Sequence, residues 1–182
     1  MKYAGFRVRF GAVIVDLLVF IPFIVIYFWL EGESKQLALA YSIPYSLLYA
    51  GYNIYFHGRF GQTLGKMALG IKVVRLDGMA MLYREAFLRH AVDLFLGILM
   101  TAASIIAYLS VSDAEYSAAS GFLSHAKLRQ DHEPFWHNYV TILMQAWCWS
   151  ELIVLLSNEK KRAIHDFIAG TVVIQNDSRS AA

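Results

Sequence analysis

Four long apolar runs, at residues 10–30, 37–56, 91–111 and 139–157, alternate with short stretches that carry nearly all of the charge. Each run is close to the roughly 20 residues that a helix needs to cross a bilayer. Lipid offers the backbone no hydrogen-bond partner, so such runs are predicted as helices, with Pro22 and Pro44 as tolerable kinks. At most one acid or base lies inside each run: Asp16, none, Asp93 and Glu151 in chain order. Lys2, Arg7 and Arg9 precede the first run as in a signal peptide. Its apolar part is too long for one, contains Asp16 and is followed by no small-x-small cleavage site, so it is expected to be retained.

The placement of Lys and Arg predicts the direction of the spans. Thirteen of the sixteen basic residues fall before the first run, between the second and third, or after the fourth. The other side holds Lys35, Lys127 and Arg129 beside Glu31, Glu33, Asp113, Glu115, Asp131 and Glu133. Both termini and the middle segment are therefore expected in the cytoplasm.

The connecting segments have patterns of their own. A glycine-rich stretch at 58–66 leads into a strand at 71–76, the turn pair Asp77-Gly78 and a return strand at 79–82. After the fourth run, a short surface helix at 158–169 is predicted to end at Gly170, followed by a strand at 171–175. A small sheet at the inner face would join the two regions, 58–88 and 158–176. Residues 114–128 suit an amphipathic surface helix with Phe122, Leu123 and Ala126 against lipid. Residues 177–182 read as a frayed tail.

Composition narrows the function. Hydrophobic residues make up 58% of the 182 and Asp, Glu, Lys and Arg only 16%, against about 25% charged in a soluble domain. A soluble enzyme, a disordered tail and a disulfide-stapled domain are disfavoured. A net charge of +2 gives no case for nucleic acid, and the single Cys148 supports neither a disulfide nor a cysteine metal motif.

Ionisable groups inside a span are costly and usually face protein or water. At 1.5 Å per residue, Asp16 and Glu151 each lie about 9 Å beneath the inner surface. Asp93 lies nearer that surface, one turn beyond Arg89. Arg9 and Asp16 are two helical turns apart on one face, and Arg89 and Asp93 are four apart, so those two side chains can meet. The expected arrangement is one inward-facing nest of carboxylates with arginines at its rim. It reads either as ion pairs that hold helices together or as a pocket where protons and cations compete. Glu151 has no basic partner in its own helix, which makes it the favoured proton carrier. The outer half of the spans offers no acid or base.

Other motifs are weaker. Gly61–Lys66 is one residue too short for a phosphate loop, and Met67 stands where Ser or Thr would bind magnesium. His165-Asp166 is too little for a phosphohydrolase centre. Asp166 is better placed to bond Arg9 or backbone donors and lock the C-terminal segment under the helices. His125, Asp131, His132, Glu133 and His137 are metal-ligand types without a standard spacing, so no metal site is expected.

Three blocks resemble RDD family membrane proteins: Tyr3–Phe10 with Ala12, Ile14, Val15 and Asp16; Gly61–Lys66 with residues 70–74 and Asp77-Gly78; and Arg162–Asp166 with residues 169–173. The resemblance implies Arg9 and Asp16 as two of the namesake residues, with Asp166 or Asp93 as the third. Asp166 lies in the better-matched block. Val8 departs from the paired basic residues that members often carry there. The family's activity is largely unassigned, with transport, including cation/proton antiport, as its provisional label.

The combined expectation is an all-α membrane protein, a four-transmembrane-helix bundle with N-in/C-in topology and a small cytoplasmic β-hairpin or strand module. It forms one membrane domain over 1–176 and is multi-pass in the bacterial inner membrane. Its expected role is transport-related and not enzymatic. Asp16, Asp93 and Glu151 would exchange protons or cations, with Arg9, Arg89, His165 and Asp166 as charge partners and motif residues. No cofactor is expected. Membrane lipid and a second copy of the chain are expected partners, and a protein at the cytoplasmic face is an alternative one. The rival readings are a membrane scaffold and an anionic-lipid-binding protein.

Overall fold

Every apolar run extends into a longer helix in the computed structural model, which describes residues 2–176. In chain order the elements are α1 (Phe6–Glu33), α2 (Lys35–Phe60), α3 (Leu64–Ala68), β1 (Ile71–Arg75), α4 (Tyr83–Ser110), α5 (Asp113–Ala118), α6 (Phe122–Asp131), α7 (His137–Ser157), α8 (Ile164–Ile168) and β2 (Thr171–Gln175). The tail expected at 177–182 lies outside the described residues.

Helices α1, α4 and α7 are long and apolar enough to cross a membrane. Only 6% of the most apolar window of α1 is buried within the protein, and 11% of that of α7. Apolar surface on that scale requires lipid to cover it. Helix α2 is long enough at 26 residues, but its polar residues and five tyrosines leave it short of the same apolar level.

The chain forms two compact units. One comprises Met1–Val19, Ala50–Asp93 and Gln145–Ala182; the other comprises Phe20–Tyr49 and Leu94–Met144. The first holds the sheet. Strands β1 and β2 pair antiparallel, with Val73 opposite Val173 and Arg75 opposite Thr171. Ile71, Val73 and Val173 point into a core with Ala4, Ala12, Met81 and Ala86. The sheet expected between the two connecting regions is thus present. The return strand at 79–82 is reduced to one bridge, Val74 to Ala80, on the edge of β1 away from β2, because Gly61 O takes the Val73 amide further along that edge. The helix expected over 158–169 shortens to α8, which ends before Gly170 at φ +65°.

The second unit has its own core of Ala38, Tyr108, Val111 and Tyr116. The surface helix expected at 114–128 is broken into α5 and α6 around Gly121, at φ +77°. Ser112 caps α5 and Glu115 returns the bond, the reciprocal pair that starts a short helix. Leu123 is 79% exposed, consistent with contact outside the protein.

Candidate functional site

Asp166 is the centre of the charged cluster in the first unit, and no part of its side chain reaches solvent. Its Oδ2 accepts from Arg9 Nη1 at 2.8 Å and from the Ala163 amide at 3.0 Å. Its Oδ1 accepts from Arg89 and from the Thr171 hydroxyl at 3.2 Å. Burial would raise the Asp166 carboxyl, but the Arg89 and Arg9 guanidiniums outweigh it and hold the group well below the usual carboxylate range. Arg9 also donates to the carbonyls of Ala4 and Lys161. One carboxylate therefore ties the start of α1, the start of α4, α8 and β2 together. The bond expected between Asp166 and Arg9 is present.

Arg89 was expected to pair with Asp93 four residues on. Asp166 takes it instead, because a buried carboxylate shared by two guanidiniums binds more strongly than a half-exposed neighbour. Arg89 Nη2 lies 2.7 Å from His165 Nε2. An arginine only donates, so Nε2 accepts and the imidazole proton sits on Nδ1, 2.5 Å from Glu151 Oε2. Glu151 Oε1 accepts the His165 amide at 2.9 Å. A continuous chain runs Glu151–His165–Arg89–Asp166–Arg9.

Asp16, Asp93 and Glu151, expected to form one nest, each have their own hydrogen-bond donors. Asp16 accepts from the Tyr52 and Thr63 hydroxyls at 2.6 and 2.7 Å and from the Gly65 amide at 2.7 Å. All of these donors are neutral, and Arg9, two turns away, points to Asp166. Asp93 accepts from Trp147 Nε1 at 2.9 Å, with His90 Nδ1 at 3.7 Å, and is 39% exposed. Among the described residues no hydrogen-bond donor is shared by any two of the three.

The glycine-rich stretch is built around Asp16. Gly61, at φ +70°, donates to His57 O and accepts from Val73 N, seating the loop on β1. Gly65 lies so close to α1 that a Cβ would strike the Ala12 carbonyl. These contacts, and not phosphate binding, account for the glycines.

A family model for the RDD family matches residues 3–170. The chain belongs to the RDD family. It is also similar to an uncharacterized protein, YckC, of Bacillus subtilis (strain 168), at 30% identity over 96 residues. That alignment covers 48% of this chain and 57% of the relative, so it spans little more than half of the length of YckC. No solved structure matches the chain.

Several residues of this RDD chain enter charged clusters that sequence reasoning missed. In the first unit, His57 is fully buried; its Nδ1 donates to the Asn53 carbonyl at 2.8 Å and lies 3.2 Å from His90 Nε2. His90 stands three residues before Asp93, a spacing that was visible. Lys66, counted as a cytoplasmic base, is only partly exposed. Burial, then the Arg89 charge, lowers its ammonium to about 7, with Asp16 opposing.

The second unit places one acid of an expected loop inside a helix. Glu31, placed by sequence in an outer loop, is the buried end of α1. Its Oε1 accepts from Tyr108 at 2.6 Å and from Arg129 Nε at 3.2 Å. Tyr27 donates to Tyr108 at 3.0 Å. Arg129 continues to Glu133, and His137 Nδ1 lies 2.8 Å from Glu133. The four-residue spacings Arg129–Glu133 and Glu133–His137 were legible; the approach of Glu31 was not. Tyr108→Phe strips a donor from a buried carboxylate and is expected to cost about 1–3 kcal/mol. Thermal unfolding in detergent would show it, and a melting temperature equal to the parent would refute the bond's importance. Among the described residues no group of three or more His, Cys, Asp or Glu is placed to hold a metal.

Proposed function

We propose that this RDD protein is a transport-related, non-enzymatic membrane protein that exchanges a cation for a proton at Glu151. The reading includes a fourth crossing by α2, both termini inside, and residence in the bacterial inner membrane as an oligomer. The observation that carries it is His165 held between the Glu151 carboxylate and the Arg89 guanidinium, 2.5 and 2.7 Å away. A carboxylate oxygen lying against an imidazole nitrogen, with no hydrogen-bond partner of its own, has a titratable ring beside it and, through the ring's other nitrogen, a fixed cation nearby. A cation arriving at Glu151 would displace a proton, and a returning proton would release the cation. Asp93 is a half-exposed acid available to the same traffic. Asp16 and Asp166, fully occupied by donors, serve as clamps, which also favours a scaffold as the second reading.

Proteoliposomes loaded with a pH gradient test the proposal. Glu151→Gln is expected to insert normally and to lose ion-dependent pH change by about tenfold or more, as for removal of a proton-transfer group. Unchanged flux in that variant, or no proton-coupled flux from the parent, would defeat the exchange mechanism.

A further inference from the structure

Six of the large apolar side chains exposed on the first unit lie in the segments that follow β1 and in α8. Leu76, Met79, Leu82, Tyr83, Phe167 and Ile168 are each 44–57% exposed. Leu76 and Met79 form the turn that follows β1, where Arg75 N donates to Met79 O. Leu76 N bonds Gly170 O, which places this turn against the residues that follow α8, and α8 carries Phe167 and Ile168. The turn and the helix therefore present apolar residues at the same end of the sheet. Leu82 and Tyr83 continue that surface directly into α4, which is apolar enough to cross a membrane. Met79 is four residues from Tyr83, so at most about 14 Å of extended chain separates it from the span.

The charge around this surface is net basic, with Glu85 and Glu159 as its acids outside the Arg75–Asp77 pair. The described part of the unit holds twelve Lys and Arg against seven Asp and Glu. Asp77, the acid in the turn, is neutralised by Arg75 at 3.1 Å. Arg162 lies over the Phe167 ring, 3.9 Å from its centre. Its guanidinium donates to the carbonyls of Thr171 and Asp166, which leaves its charge unpaired. Among the described residues Lys72, Arg84, Lys160 and Lys161 likewise have no ion pair.

We infer that the Leu76–Tyr83 segment and α8 form an interfacial foot that inserts Leu76, Met79, Phe167 and Ile168 into an anionic lipid leaflet. Apolar side chains with a cationic rim match that interface: the acyl boundary covers the former and lipid phosphates pair the latter. The occupant is the leaflet that receives α4 and not a soluble protein, because the surface is continuous with a membrane-crossing helix and its charge complements lipid phosphate. This inference is independent of ion exchange.

Nitroxide labels on the full chain test it. With Cys148→Ser as background, labels are placed by Met79→Cys and Phe167→Cys, with Glu159→Cys as an exposed reference. The protein is set in nanodiscs of phosphatidylcholine alone or mixed equally with phosphatidylglycerol. In the anionic discs, labels at 79 and 167 are expected to collide several-fold more with oxygen and several-fold less with a neutral nickel chelate than the label at 159. In neutral discs this difference shrinks. Labels that stay in water in anionic discs, or that sit equally deep in both lipids, overturn the proposal. Dipolar broadening would assign the surface to a second copy, and shielding only on addition of a soluble fraction would assign it to a protein; either result also overturns it. All three positions are exposed, so the labels leave the core intact.

Discussion

Asp166→Asn is expected to unfold or severely weaken the first unit. The asparagine keeps the shape but loses the charge between Arg9 and Arg89, and its amide points donors at donors. Breaking a buried pair from one side costs about 3–5 kcal/mol, since it leaves the cations buried and unpaired. A large drop in melting temperature in detergent, with poor recovery of monodisperse protein, is the expected result. A melting curve that overlays the parent would show that Asp166 is not the anchor. The acid response has a defined sign. Because the folded carboxyl lies far below its unfolded value near 4, its stabilising contribution is present above that value. It is lost only as pH falls through the much lower folded one. Titration down to about pH 4 should therefore leave this anchor intact.

Gly65→Ala is expected to have the second largest effect. The added methyl would meet the Ala12 carbonyl oxygen and come within 2.8 Å of Asp16 Cγ. The first obstacle is helix backbone, which cannot rotate away, and the second is a side chain held by three hydrogen bonds. Overpacking of this kind costs about 1–3 kcal/mol, and lifting the turn off α1 would also strip Asp16 of its Thr63 and Gly65 donors. Thermal unfolding is expected to shift toward the upper end of that range, with faster proteolysis of the loop. Gly97→Ala is the control, because no atom lies within 4 Å of its would-be methyl. It is expected to be neutral or mildly stabilising in a helix. Equal behaviour of the two variants would show that the contact at Gly65 is unimportant.

Both expectations rest on residues whose partners lie far away in sequence. Asp16 was visible as an acid in an apolar run, and its burial followed. Its partners Tyr52, Thr63 and the Gly65 amide were not visible, because neutral donors in a loop carry no charge signal. Arg89 and Asp93 show the opposite error. Their four-residue spacing made a pair geometrically available, but the choice among carboxylates depends on burial and on who else is nearby. Asp166 offers four acceptor positions in a dry site, and two arginines converge on it from different helices. Glu31 was misplaced for a related reason: it ends an apolar run, and only the approach of Tyr108 and Arg129 makes its burial possible.

By itself the sequence determined the class of molecule and its segments. Long apolar runs call for a membrane around them, and the three motif blocks carry the RDD resemblance; both are properties of local composition and order. It also set the turn at Asp77-Gly78 and the strands before the third run and after the fourth, through residue types that act over a few positions. Tertiary structure alone decided which charges pair, that Gly61 and not the return strand takes the Val73 amide on the free edge of β1, and that Asp16, Asp93 and Glu151 have separate hydrogen-bond donors. The physical reason is that ion pairs and sheet edges are won by competition. The winner is set by desolvation and distance, and neither exists until the chain is folded.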